Sequence, residues 1–289
     1  YSGGVNAYMQ RRSFPTLNQS QYDFHSTGYV LNINNTTAGG VPIFDRVEVT
    51  SPSGAVHVMR PLAATESLRL VKNGVTTGTS YVRVRSVFDN PATPNTPATV
   101  DTGLVFASPE LSEAEVAAIP AQAVWAFRYY LASAPSTLAA TQYYRTRSRA
   151  LTLGEFRTQP MATLTDTQLA GIRANLSTGG SLILSNSAPY GVSWDVPTGA
   201  LAPTQVTVFG VKYTSQTVSQ SFTDSATVAT TARTVNLSCA PASAGDVHCG
   251  STPGYFAASS FGTGLHLRSR DSAGREFVNF YAMYTLTPP

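Results

Sequence analysis

From Tyr81 the chain alternates. Tyr81, Arg83 and Arg85 fall on one side and Val82, Val84 and Ser86 on the other, the period of two that a half-buried strand requires. Gly78-Thr79-Ser80 turns the chain into this run, and Asp89-Asn90-Pro91 ends it, since proline has no donor for a ladder. Upstream, Tyr29–Asn34, Val41–Thr50, Ala55–Met59 and Leu68–Val71 read as further strands. Ser51-Pro52-Ser53-Gly54 supplies one hairpin turn, and Asn73-Gly74 supplies another, because both of its residues tolerate the positive φ of a type I′ turn. Ser112 and Glu115 form a capping box and predict a short helix that Pro120 stops. Two aromatic strands follow, Ala123–Leu131 and Thr141–Leu151.

The pattern lapses between Phe156 and Ala162, the best boundary in the chain. Thr165 and Gln168 then repeat the capping arrangement ahead of Leu169, Ile172 and Leu176, a helical stripe expected to stop at Gly179-Gly180. Strands resume over Ser181–Ser185, Val192–Val196, Gln205–Thr214 and Thr217–Thr223. Gly264–Arg270 and Arg275–Thr287 make a closing hairpin around Asp271-Ser272-Ala273-Gly274. Each half ends on an arginine-bearing strand, Tyr144 to Arg149 in the first and Leu267 to Arg270 in the second, a weak internal repeat. The expected fold is all-β: an N-terminal arm over residues 1–28, a first antiparallel sandwich over 29–156 and a second over 157–289, with short helical insertions.

The run from Gly78 to Ser86 resembles the penultimate strand of a fibronectin type III or immunoglobulin-like β-sandwich module of a bacterial-type cell-surface protein. The resemblance implies that Tyr81 forms a tyrosine corner, its hydroxyl bonding back to nearby backbone.

Composition narrows the classes. Across 289 residues only 12% are charged, so hydroxyls and amides cover much of the surface, as in many secreted and cell-surface β proteins. A net charge of +3 from 19 basic residues is too thin for a nucleic-acid footprint. No apolar run reaches the roughly eighteen residues of a membrane-spanning helix. The chain opens on Tyr1-Ser2-Gly3-Gly4, without a basic start and apolar core, which is expected of a processed end or a fragment. Cys239 and Cys249 enclose a short loop that closes readily as a disulfide in an oxidising compartment. The rival is a zinc site from Cys239, Asp246, His248 and Cys249, whose spacing fits no common zinc pattern.

Reactive constellations are not legible. No Gly-x-Ser-x-Gly elbow is present, and His25, His57, His248 and His266 belong to separate elements. Asp23, His25 and Ser26 are the nearest imitation of a triad, too close in sequence to make its relay. Glu110, Glu113 and Glu115 suit the start of a helix, where negative charge meets free amides. No catalytic residue, metal or cofactor is assigned. Arginine does recur on alternate positions: Arg83 with Arg85, Arg145 with Arg147 and Arg149, and Arg268 with Arg270. Such residues either keep a strand face polar and a sheet edge unwelcoming, or grip sulfate, phosphate or carboxylate groups through the guanidinium fork. Trp125 and Tyr129 are core residues or part of a sugar-stacking platform.

The sequence therefore points to a non-enzymatic structural or adhesive component of a cell envelope or surface assembly, placed outside the cell, on its surface or in a periplasm. Its expected partners are other envelope or surface proteins, copies of itself, and acidic polysaccharide held at Arg145, Arg147 and Arg149. Nucleic acid and a transmembrane segment are not expected. The rival readings are a carbohydrate-binding or substrate-docking module of a secreted enzyme, a phage or virus surface component, and a hydrolase using His57 or His266 as base.

Overall fold

The computed structural model describes residues 1–13, 15, 23–37, 39–62, 67–85, 110–174, 189–213, 219–238, 255–256 and 264–282. Among these the strands, in chain order, are β1 (Gly3–Ser13), β2 (Phe24–Ile33), β3 (Phe44–Thr50), β4 (Val56–Arg60), β5 (Arg69–Lys72), β6 (Val75–Thr76), β7 (Tyr81–Arg85), β8 (Val124–Leu131) and β9 (Ala134–Arg145). They continue with β10 (Thr163–Leu164), β11 (Tyr190–Asp195), β12 (Gln205–Tyr213), β13 (Ser219–Thr227), β14 (Thr234–Leu237), β15 (Tyr255–Phe256), β16 (Gly264–Arg270) and β17 (Glu276–Ala282). The helices are α1 (Glu113–Ala118), α2 (Leu153–Thr158) and α3 (Asp166–Ala174).

One long sheet runs β13-β12-β16-β17-β1-β2-β7, with β15 beside β12. Two smaller sheets, β6-β5-β4-β3-β8-β9 and β10-β11-β14, accompany it. The chain is mainly β, as expected, but the sheets are not those of two separate immunoglobulin-like sandwiches. β1 pairs in parallel with β17, Tyr8 opposite Glu276 through Ser13 opposite Tyr281, and so joins the two halves inside one sheet. Residues 3–13, expected as part of an arm, are thus a central strand.

Register explains how one sheet serves two cores. Val5, Ala7 and Met9 of β1 share a face with Tyr29 and Leu31 of β2, Val82 and Val84 of β7, and Phe277 of β17. These close on Val47, Val49, Met59, Trp125, Phe127 and Tyr129 from the six-stranded sheet. Further along the same face, Val206, Val208, Leu265, Leu267 and Tyr281 close on Leu164, Tyr190, Val192, Trp194 and Ile172. Asn279 stands between Phe277 and Tyr281 at the seam. Its amide, 1% exposed, donates to the Ala162 carbonyl at 2.9 Å and the Tyr281 hydroxyl at 3.0 Å. Burying that amide is tolerable because both donors are used.

Local chemistry follows the sequence at the turns and caps. Asn73 and Gly74 take φ of 51° and 77°, as a type I′ turn demands. Ser112 and Glu115 complete their capping box, and Thr165 Oγ1 accepts from the Gln168 amide at 3.2 Å. The second aromatic strand is shifted: β9 begins at Ala134 and stops at Arg145, short of the expected Leu151. A second capping box, Thr152 with Glu155, starts α2 instead. Tyr81 opens β7 as expected, and its ring lies 4.7 Å from that of Tyr8. Among the described residues, the tyrosine hydroxyls that accept from backbone are those of Tyr29, from the Ala150 amide at 3.1 Å, and Tyr281, from the Leu164 amide at 2.9 Å. The expected Cys239–Cys249 disulfide, its zinc rival, the Gly179-Gly180 stop and the Ser181–Ser185 strand lie outside the described residues.

Candidate functional site

The segment after β9 meets the β16–β17 turn beside β1, and together they line a cavity of about 350 Å³. Arg145, Thr146, Arg147 and Ser148 come from the first element, Arg270 to Arg275 from the second, and Val5 to Ala7 from β1. Four arginines (Arg145, Arg147, Arg270 and Arg275) stand against one acid, Asp271. Two of the arginine stripes of the sequence therefore converge, although they belong to opposite halves of the chain.

The turn is built to hold its own side. Asp271 accepts from the Arg275 amide at 2.9 Å and from Arg275 Nε at 2.7 Å, and the Gly274 amide donates to the Asp271 carbonyl at 3.0 Å. Gly274 takes φ of +81°, and a Cβ placed there would stand 3.9 Å from Cδ of Arg147. A left-handed residue thus lies beside the Arg147 stem at the point where the two elements meet. Arg270 is held by Glu276 at 3.0 Å. On the opposite wall Arg145 donates to the Gln122 carbonyl at 3.2 Å, while the exposed Arg147 guanidinium has no partner among the described residues. Thr146 is 2% exposed, yet its Oγ1 has no partner among them, and neither has the enclosed Oγ of Ser148.

Buried hydroxyls are normally satisfied, so two without a partner among the described residues mark a polar wall, in front of which the exposed Arg147 guanidinium is the accessible donor. Guanidinium forks match the planar geometry of carboxylate and the oxygens of sulfate or phosphate. Polar lining makes the cavity unlike an apolar small-molecule pocket.

Other residues singled out in the sequence are placed elsewhere. Arg149 turns away and grips Glu155 through both terminal nitrogens at 2.6 and 2.7 Å, which holds the Glu155 carboxyl down to about 2. Trp125 and Tyr129 are fully enclosed in the first core and offer no ring to a sugar. Their alternation marked sheet packing, the commoner role of such aromatics. Arg83 is not on a solvated face either. It lies over Tyr81 at 4.9 Å and donates to Ser26 Oγ at 3.4 Å, and burial lowers the pKa of its guanidinium. Arg12 similarly covers Phe280 at 4.3 Å.

His266 meets the edges of Phe209 and Phe280 at 5.0 and 4.6 Å, and burial pushes its imidazole down to about 3. Burial also lowers His57. Neither has a carboxylate within hydrogen-bond distance among the described residues, so neither shows the orienting partner that a general base uses there. Sequence reasoning missed Arg275, Thr146 and Ser148 as pocket residues. Arg275 stood at the end of a recognised turn, and that was the available signal.

No protein-family model matches the chain, and no curated protein sequence matches it. Among solved structures, a chain from work on host cell surface retention of a 1.5-MDa bacterial ice-binding adhesin aligns over 97% of this chain at 10% identity, with a TM-score of 0.18. This chain spans 65% of the length of that one. At such a score the alignment establishes no common fold.

Proposed function

We propose that this protein is a non-enzymatic structural or adhesive component of a cell envelope or extracellular surface assembly, and that it holds acidic groups of a surface polymer in the arginine-lined cavity. The observation that carries the reading is the convergence of Arg145, Arg147, Arg270 and Arg275 around one cavity with a single acid, Asp271, in its lining. The walls are set by the end of β9 and the segment after it, the β16–β17 hairpin and a central strand, so little order has to be imposed on the protein when a ligand enters. Each contact is weak in salt, which suits a polymer that presents the same group many times.

Retention on a column bearing a uronic-acid or sulfated polysaccharide, eluted by a salt gradient, tests this. Arg145→Ser with Arg147→Ser is expected to elute at distinctly lower salt than the wild type. Arg60→Ser with Arg157→Ser, which removes the same charge from exposed positions away from the cavity, is expected to elute close to it. Equal elution of the two double variants would remove the proposal.

A further inference from the structure

A second hollow adjoins the arginine cavity. It encloses about 540 Å³, is the more open of the two, and is lined chiefly by Ser2, Gly4, Asn6, Asn32, Asn34 and Ser67. Asn6 lines both, so the two form one track beside β1. The ladder between β1 and β17 begins only at Tyr8, so among the described residues Gly3 to Ala7 have a strand neighbour on the β2 side alone, which leaves room for the track. Its character changes along the way. Four arginines stand at one end, whereas no charged side chain among the described residues lines the other.

Register puts Gly4, Asn6 and Asn32 on one face. Gly4 is opposite Asn32 and Asn6 is opposite Val30, so the two asparagines are diagonal neighbours about 7–8 Å apart at the backbone. Both are exposed, and neither carboxamide has a partner among the described residues. The fold itself does not ask for glycine at position 4. Its φ is not left-handed, and a Cβ there would meet nothing within 4 Å, whereas a Cβ on Gly3 would stand 2.8 Å from the Tyr129 hydroxyl. Glycine weakens a strand, and one with neither a turn nor a packing reason commonly marks a place where a ligand comes close to the backbone. A carboxamide both donates and accepts hydrogen bonds, as does a sugar hydroxyl or an acetamido group. An acid would find no counter-charge in this hollow, and an apolar group covering it would leave the amides unpaired.

We propose that the track takes a polymer in which acidic and neutral sugars alternate: where an acidic unit is held by the arginines, as in the reading above on which this rests, the neutral unit beside it lies across Gly4 between Asn6 and Asn32. A uniformly acidic polymer fills the first hollow equally well and gains nothing in the second.

Two probes separate these cases. Hyaluronan oligosaccharides alternate a uronic acid with an N-acetylated neutral sugar, and oligogalacturonates of the same carboxylate number are acidic throughout; both are titrated against the protein by calorimetry at one ionic strength. The wild type is expected to prefer hyaluronan about tenfold, the worth of one or two net hydrogen bonds. Gly4→Gln, which fills the second hollow, and Asn32→Ala, which removes one carboxamide, are each expected to erase that preference and leave oligogalacturonate affinity unchanged, because neither residue lines the arginine cavity. Arg145→Ser with Arg147→Ser is expected to lower affinity for both probes. Circular dichroism confirms that each variant is folded. Equal affinity of the wild type for the two probes, or a preference that survives both Gly4→Gln and Asn32→Ala, overturns the proposal and leaves the arginine cavity its acidic ligand. Failure to bind either probe removes the arginine-cavity reading and this proposal with it.

Discussion

Gly28 offers the sharpest test of the architecture. It sits in β2 opposite Arg83 of β7 and Tyr8 of β1, with φ of +156°. A Cβ there would run into the Val82 carbonyl oxygen and stand 2.6 Å from the Arg83 Cα, both backbone atoms that cannot rotate away. Relief requires β7 to move off β2, disturbing the pairing from Ser26–Arg85 to Val30–Tyr81. Overpacking of this kind costs about 3 kcal/mol at the upper end of its usual range. The backbone conformation, which L side chains rarely adopt, adds about 1 kcal/mol. Alanine restricts the unfolded chain and returns up to about 1 kcal/mol. The net expectation for Gly28→Ala is a loss of about 3 kcal/mol, which for a chain of this size lowers the unfolding midpoint by roughly 6–12 °C. Thermal unfolding followed by circular dichroism measures it. Gly4→Ala is the control, since a Cβ there meets nothing within 4 Å, and it should stay within about 0.5 kcal/mol of wild type. If Gly28→Ala unfolds at the wild-type temperature, the close approach of β7 to β2 is wrong and with it the packing of that end of the long sheet.

Two further outcomes follow from buried polar groups. Asn279→Ala removes the donor to the Ala162 carbonyl and Tyr281 hydroxyl at the seam, and should cost about 2 kcal/mol in denaturant unfolding; a neutral result would mean the two cores are not tied there. His266 is held neutral by burial, with Arg268 and Arg12 acting in the same direction, so the unfolded chain takes its proton first. Its contribution is complete above the ordinary imidazole range near pH 6.5 and is lost as pH falls toward 3. His266→Gln should accordingly flatten the acid side of a stability profile, and an unchanged slope would place the imidazole in solvent.

Much of this fold was legible locally. Asn73-Gly74 and the Ser112/Glu115 box act within a few residues, and both appear as read. The Thr152/Glu155 box was equally local but was masked by the assumption that the aromatic strand ran to Leu151. β1 escaped because both of its faces are covered: Val5, Ala7 and Met9 enter the core, while Tyr8 and Gln10 are buried on the far side, so no alternation remains to be seen. The same double burial took Arg83 out of the solvent-facing role that alternation suggested. Arg145 and Arg147 were visible as a pattern, but their meeting with Arg270 and Arg275 depends on the β1–β17 pairing, a contact between segments remote in sequence that no local signal encodes.

That pairing also decides how the molecule carries load. β1 and β17 run the same way, so tension drawn from the Gly3 end of one and the Ala282 end of the other slides them past each other along their length. All six rungs between Tyr8–Glu276 and Ser13–Tyr281 then resist together, where strands pulled apart from one end would open rung by rung. Tension applied at those two strand ends is thereby borne in shear, the direction in which a ladder yields last.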